Sequence, residues 1–533
     1  MRREHAKHAR VARKGTAADH LWSAWLCRAR FPRSGVPSSA RKRSFRAGWC
    51  GFPHPETPAR HLSRRADGCE RLSATPSEER TLKNELIVLP HDPNWDEARL
   101  AWNLAADQRP AAVALPESAD DVVAMVRWAR ERGLRIAPQG TGHSATALGS
   151  LAHTVLMKTE RMRRVEIYPA ARIARVEAGV LWEEVTEAAA EHELGALAGS
   201  SPDVGVVGYS LGGGISWLAR KHGLAANAIT AVELVNAEGK LIRADADNHG
   251  DLFWALRGGG GSFGIVTALE FRLFPITHVH AGALFFPLER ATEVLRAWRE
   301  WVDDVPEEVT SLGRFLRFPP LPHIPPPLRG GSFAVVEATS LLSEAETDEL
   351  LRPLRELGPA MDTFATIPVQ ELKHLHMDPP QPVPGAGDGM LLAELDESAI
   401  DAIVRVAGPD VQSPLISIEV RHLGGAVARK APGAGALASM DARFAMFAVG
   451  ATPTPELDAG VKAHVEVLLT ALAPWDSGRM YLNFAEKRRR GEELFGELTY
   501  RRLQTVKAAV DPEDVFRSNH PVRPPSAEAR KAA

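Results

Sequence analysis

The polar and apolar positions first settle into a regular pattern near Leu82. The stretch "ALPESADDVVAMVRWARERGLRIAPQG" predicts a loop, a helix and a strand. Ser118 is the expected N-cap, with Asp121 three residues on, and Val122, Val123, Met125, Val126 and Ala129 supply an apolar stripe at helical spacing. Gly133 ends that helix, and "LRIAP" alternates as a short strand. "TVLMKTERMRRVEIYPAARIARVEAGV" predicts successive strands, and "LWEEVTEAAAEHE" another helix. From there to about Pro275 the α+β alternation continues. A second region, to about Pro474, contains the strand-like runs "SFAVVEATSLL" and "LISIEVRHL" and the helical "ATEVLRAWREWVDDV". Two proline-rich loops interrupt it, "FPPLPHIPPPLRGG" and "MDPPQPVPGAGDG". Proline there excludes helix interior and central strand. The last region has one helix of its own and then stops at prolines.

Composition narrows this picture. With 44% hydrophobic and 25% charged residues in 533, the chain is neither disordered, collagenous nor coiled-coil. No apolar run approaches the ~18–20 residues of a membrane helix. Residues 1–75 hold 17 Lys+Arg and 5 Asp+Glu, leaving 47 and 62 of the chain's 64 and 67 to the remainder. A basic, aperiodic extension (1–78) therefore precedes an acidic body. Its Arg- and Ser-rich composition admits a nucleic-acid arm or a transit peptide, but a solvated, disordered extension is the expectation. All three cysteines (Cys27, Cys50, Cys69) fall in that extension, so the body has no disulfide, thiolate metal site or cysteine nucleophile. No metal, nucleic-acid or membrane partner is expected, and the reading is a cytoplasmic protein.

Three glycine-rich stretches mark the first region: "PQGTGHSA" (138–145), "AGSSPDVGVVGYSLGGGIS" (198–216) and "RGGGGSFGIVTALEF" (257–271). Glycine lets backbone N–H groups approach a ligand without an intervening Cβ. Runs of such amides suit a diphosphate. Gly259, Gly261 and Gly264 formally match GxGxxG, but a helix-like run precedes them and a strand-like run follows. A dinucleotide fingerprint requires the reverse order, so a nicotinamide dehydrogenase is disfavoured. His143, inside the first glycine loop, is a candidate ligand contact.

At these residues the chain resembles the vanillyl-alcohol-oxidase type of flavoprotein, in its berberine-bridge-enzyme-like branch. The resemblance rests on Gly140-Thr141-Gly142-His143, on Ser201-Pro202-Asp203-Val204-Gly205 followed by Gly212-Gly213-Gly214, and on the block "LFWALRGGGGSFGIVT". Tyr481-Leu482-Asn483 and an ending with Arg502-Leu503, Lys507, Asp511-Pro512 and Val515-Phe516 complete it. It implies an α+β fold: a two-part FAD-binding domain of the PCMH type (79–277, completed by 476–525) and a substrate domain (278–475) with an antiparallel sheet and flanking helices. It implies FAD joined covalently through His143. Relatives often add a cysteine bond where this chain has Ser201, so a single linkage is expected. The cofactor contacts it implies are Gln139, Gly140, Thr141, Gly142, His143, Ser144, Gly199, Ser200, Ser201, Asp203, Val204, Gly208, Tyr209, Gly213, Gly214, Gly264, Ile265, Val266, Asn483 and Asn519.

The reaction so implied is hydride transfer from an alcohol or amine carbon of a small molecule. Tyr481 is the expected base. A free phenol titrates near 10, so it needs a cationic or hydrogen-bonding neighbour. The strand "EVRHLGGA" could supply one. Alternation sends Glu419 and Arg421 to one face and Val420 and His422 to the other, and His422 is the second base candidate. Relatives with valine at the position of Val204 tend to react with oxygen, so an oxidase releasing hydrogen peroxide is expected. A dehydrogenase with another electron acceptor is the alternative.

Overall fold

The computed structural model describes residues 86–525 except His323. The expected extension and its cysteines lie outside the described residues.

Three sheets organise the described chain. The first comprises β1 (Ile87–Val88), β2 (Ala112–Ala114), β3 (Arg135–Gln139) and β4 (Thr154–Lys158), in the order β1-β2-β4-β3. Strands β2, β4 and β3 run parallel, and β1 is antiparallel to β2. The helix Ala119–Glu131 makes the crossover between β2 and β3. Its N-cap Ser118 accepts from the Asp121 N–H. Val122, Met125, Val126 and Ala129 are fully buried, while Val123 is only partly covered. The second sheet is antiparallel: β5 (Val165–Tyr168), β6 (Ile173–Glu177), β7 (Ile229–Val235), β8 (Leu241–Asp245) and β9 (Ile265–Arg272), ordered β5-β6-β9-β7-β8.

The third sheet has eight antiparallel strands: β10 (His278–Pro287), β11 (Val309–Arg317), β12 (Ser332–Ser340), β13 (Met361–Asp362), β14 (Ala365–Pro368), β15 (Gly385–Leu392), β16 (Ser417–His422) and β17 (Phe444–Ala451). Their order is β13-β10-β12-β11-β16-β17-β15, with β14 also on β10. One face carries Phe286, Phe315, Ala334, Val336, Ile418, Val420, Phe444 and Met446 into the largest apolar core, against helices that include Ala291–Asp304, Glu397–Ala407 and Pro455–Leu472. The architecture is the expected α+β one, with antiparallel sheets and flanking helices.

One local expectation is overturned. The "GAGDG" end of the second proline-rich loop is not loop but the first half of β15. Pro384 stands just before the strand, so no ladder N–H is lost. The glycines serve close packing: a Cβ on Gly387 would lie 2.5 Å from the Ala448 carbonyl, and one on Gly389 2.8 Å from Phe484 Cβ. The third glycine stretch does follow a helix (Gly250–Leu256) and open strand β9, the order that excludes a dinucleotide fingerprint.

The last segment is fastened to the first two sheets. The Ile136 N–H donates to Val515 O at 2.9 Å, and the Arg517 N–H to Ile136 O at 2.8 Å, so the tail runs along β3. Lys507 and Asp511, both fully buried, bridge at 2.6 Å. The Lys507 ammonium also donates to Ser262 O and Phe516 O. No helix of the described residues is long and apolar enough to cross a membrane.

Candidate functional site

The loop after β3 carries Gly140 to Ser144. Its imidazole, His143, is held on three sides. Nδ1 lies 2.7 Å from Thr141 Oγ1. The ring stacks on Trp102, with centroids 4.1 Å apart and planes 16° from parallel. Nε2 is 3.5 Å from Asp203 Oδ1. That nitrogen is buried and has no hydrogen-bond partner. Asp203 is itself fixed by the Trp102 indole N–H and by Ser201 Oγ, which donates at 3.0 Å. Burial raises the Asp203 carboxyl, but the His143 imidazole beside it and the hydrogen bonds from Trp102 and Ser201 outweigh burial, and the group stays below the usual carboxylate range.

A second cluster surrounds Tyr481. Its phenol oxygen accepts from the N–H groups of Gly214 (3.0 Å) and Ile215 (3.1 Å) and from Asn483 Nδ2 (2.9 Å). Asn483 also donates to Tyr209 O. Burial dominates these donors and the Arg421 charge, pushing the phenol up to about 12. Arg421 sits over the Phe484 ring at 5.4 Å, and Phe484 meets the Tyr481 ring edge-on at 5.1 Å. Arg421 Nε donates to Glu419 at 2.7 Å and Nη2 to Ser200 Oγ at 3.1 Å.

The segment 199–203 joins the two clusters: Ser200 receives Arg421, and Ser201 binds the Asp203 that faces His143. A cleft lined by Gly199, Ser201, Pro202, Trp217, Gln370 and Lys373 opens beside it.

The other expected residues divide by what surrounds them. Gly140 and Gly208 have open space where a Cβ would be, so their backbone is approachable. Gly142 (φ +86°) turns the loop against Ala101 and Gln139. The Gln139 side chain accepts from Gln108 Nε2 at 2.8 Å, and Ser144 precedes the short turn Ala145–Leu148 without capping it. Gly199, Gly213 and Gly214 make room for protein rather than open space: a Cβ on each would strike, respectively, Tyr209, Leu437 and Tyr209 at 2.5–2.8 Å. Gly264 likewise admits Leu234, and Ile265 and Val266 are core residues. The Tyr209 hydroxyl is buried without a partner. Val204 is half-buried, its carbonyl accepting from the Trp182 N–H. The Asn519 side chain accepts from the following N–H of His520.

His422 is not brought together with Tyr481. Alternation puts it on the helix-covered face of β16, 5.9 Å centroid to centroid from Phe444, while Arg421 takes the opposite face. Burial, followed by Arg220 and Arg443, pushes its imidazole down to about 3, and Nδ1 has no partner. Sequence reasoning missed Trp102 and left the place of Arg421 open. Trp102 lies in a loop with no periodic signal. Arg421 was visible as a strand charge, but its neighbours depend on which face the helices cover.

FAD fits this arrangement on the evidence of one orphaned nitrogen. His143 Nε2 is buried without a hydrogen-bond partner, and in the same loop the backbone of Gly140 faces open space.

Comparison with known proteins agrees. The model of an FAD binding domain matches residues 110–245, and that of the berberine and berberine-like segment matches 480–523. An uncharacterized FAD-linked oxidoreductase of Bacillus subtilis, YgaK, is 29% identical over 84% of this chain and 98% of its own. The (R)-6-hydroxynicotine oxidase of Paenarthrobacter nicotinovorans is 34% identical over 36% of this chain and 42% of its own. The solved xylooligosaccharide oxidase of Myceliophthora thermophila, in complex with xylobiose, superposes with a TM-score of 0.71 at 23% identity, over 83% of this chain and 97% of that one. The chain thus carries segments that match an FAD binding domain and a berberine-like ending, and over most of its length it is similar to an FAD-linked oxidoreductase.

Proposed function

We propose that this oxidoreductase takes a hydride equivalent from the carbon of a small alcohol or amine, with dioxygen as terminal acceptor and hydrogen peroxide as product. The observation that carries the reading is the bridge 199–203. It sets Asp203 against the His143 imidazole, whose Nε2 has no hydrogen-bond partner, at one end, and binds Arg421 through Ser200 at the other. FAD, when bound, supplies the two-electron acceptor.

His143 is the proposed attachment point, with Trp102 fixing its ring plane and Asp203 its charge environment. With Ser201 at the position where relatives can carry cysteine, one linkage is proposed. The open backbone at Gly140 and Gly208 is proposed to receive the cofactor's polar groups. Tyr481 is the proposed base. Three N–H donors converge on its oxygen and offset part of the burial that otherwise disfavours the phenolate needed to remove the substrate proton. Arg421 adds positive charge on the same side. The cleft beside Ser201 and Trp217 is the proposed approach for substrate, and the neighbouring Val204 is the side chain proposed to leave oxygen access. Relatives named for a hydroxynicotine and for xylooligosaccharides support both an amine and a sugar hydroxyl as substrate class.

The test combines two measurements. Acid-precipitated protein should keep its yellow colour, and H143A should lose it to the supernatant. A panel of oligosaccharides, simple alcohols and cyclic amines should release peroxide with at least one member. Y481F should slow anaerobic flavin reduction by that member about 10²–10⁴-fold, the usual contribution of a general base. Colour released wholly by acid from the wild type would overturn the linkage. A Y481F rate within a few-fold of wild type would overturn the base.

A further inference from the structure

Behind Arg421 runs a chain of buried charges that the proposed chemistry does not use. Strands β12, β11 and β16 are neighbours in the third sheet. Their register sets Arg314 directly opposite Glu419, and Leu312 between Glu337 and Arg421. All four charged residues point away from the helix-packed face. His376, from the loop after the turn Val369–His374, drops between them. Its Nδ1 lies 2.7 Å from Glu337 Oε2 and its Nε2 2.7 Å from Glu419 Oε2. Arg314 lies at the far end, with Nε 3.1 Å from Glu337 Oε1 and Nη2 donating to His376 O. The side chains of Arg314, Glu337, His376 and Glu419 are each at most 6% exposed.

Each Glu419 oxygen thus receives one donor: Oε1 from Arg421, Oε2 from His376. A carboxylate held from both sides cannot rotate. Its grip fixes the guanidinium that reaches Ser200 and covers Phe484. We propose that His376 is a positioning residue for the reaction. As an imidazolium shared by Glu337 and Glu419, it locks Glu419, and Glu419 aims Arg421 at the Tyr481 side of the site. The inference rests on the proposed role of Tyr481 and Arg421.

Charge balance supports it. Arg314, His376 and Arg421 set three positive charges against Glu337, Glu419 and Asp378, the last 4.0 Å from the imidazole. Burial and Arg314 oppose the charge on His376, but the three carboxylates prevail and push it up to about 9. Were His376 neutral, two buried carboxylates would share less positive charge than they need, a costly arrangement. The Trp217 ring, which lines the cleft, packs edge-on against the imidazole at 5.9 Å and shields the chain from water.

The test uses the flavin-loaded enzyme with ¹⁵N-labelled arginine. The Arg421 Nε–H signal is assigned by its loss in R421K. In the wild type this proton should exchange slowly. In H376F it should broaden or exchange out. The limiting rate of anaerobic flavin reduction should fall about 10–100-fold, by analogy with the loss of a partner that orients a metal ligand, with KM little changed. H376Q, which keeps an N–H for Glu419, should recover part of both. If H376F does not fold, H376Q against wild type decides. An Arg421 signal unchanged in H376F or H376Q, with flavin reduction at the wild-type rate, would overturn the proposal. Y481F separates the two readings. If Y481F reduces flavin normally, the base assignment fails. If Y481F is slow while the His376 variants are normal, only the positioning role fails.

Discussion

Lys507 offers the sharpest test of how the C-terminal segment serves the site. Its ammonium and the Asp511 carboxylate have no solvent exposure. The ammonium makes three short contacts, to Asp511 Oδ2 (2.6 Å), Ser262 O (2.7 Å) and Phe516 O (3.1 Å). Asp511 also accepts from the N–H groups of Val515 and Phe516, both at 2.9 Å. In K507M the methionine fills most of the volume, so packing is nearly conserved and electrostatics decide. Breaking one partner out of a buried pair costs about 3–5 kcal/mol. The upper half applies here, because two carbonyls lose their donor as well. Adding D511N removes the stranded charge and keeps a side-chain oxygen for one of the two N–H groups, which donate to different carboxylate oxygens, so the double variant should regain about 1 kcal/mol. Urea unfolding followed by tryptophan fluorescence reads both values. Ser262 heads the loop before β9, and residues 515–517 flank β3, so K507M should also release flavin at urea concentrations below global unfolding. A K507M loss under about 1 kcal/mol, or a double variant worse than K507M, would refute the argument.

Three further outcomes follow from the geometry. W102F keeps an aromatic ring on His143 but removes the indole N–H to Asp203; the Asp203 carboxyl should rise, and the fraction of flavin surviving acid precipitation should fall. Tyr481 is pushed up to about 12 and acts as phenolate in the proposed step, so flavin reduction should accelerate with rising pH, by up to about tenfold per unit, and the pH dependence should vanish in Y481F. His422 is depressed to about 3, so the unfolded chain binds its proton first as pH falls. Its stabilising contribution is complete above the unfolded value of about 6.5 and is lost between there and about 3, at up to 1.36 kcal/mol per unit. H422L should flatten the acid limb of stability by that slope and leave the alkaline rise in flavin reduction intact; loss of that rise would return His422 to the reaction.

Local pattern made much of the fold legible. The helix after Ser118 was readable because one residue type at the cap and one apolar stripe specify it without tertiary help. The helix-then-strand order around Gly258–Gly264 was equally local, and it correctly set aside a dinucleotide fingerprint. The "GAGDG" run was misread because glycine near proline signals a loop, whereas here small residues are demanded by a partner strand and by Phe484, neither nearby in sequence. The site shows the same divide. Glycine loops and His143 announce themselves, but three of the glycines leave room for Tyr209 and Leu437 rather than for a guest, a distinction that only packing reveals.

The choice between His422 and Arg421 shows what a strand pattern contains and what it withholds. Alternation separates the two faces of β16 with certainty, since successive side chains point oppositely. It does not say which face meets the cofactor side. That is decided by where the helices lie, and they lie where the larger apolar surface is: Ile418 and Val420 share a face with Phe444 and Met446. The helices therefore cover His422, and the charged face turns toward Tyr481 by exclusion. The same logic explains why that face needs a charge chain at all. A sheet buried on both sides can carry Glu337, Glu419, Arg314 and Arg421 only if they neutralise one another. Once they do, the last cation in the row is held in one orientation. The arrangement that makes the charges tolerable is also the one that makes Arg421 rigid, so its position beside the proposed base follows from stability before it serves chemistry.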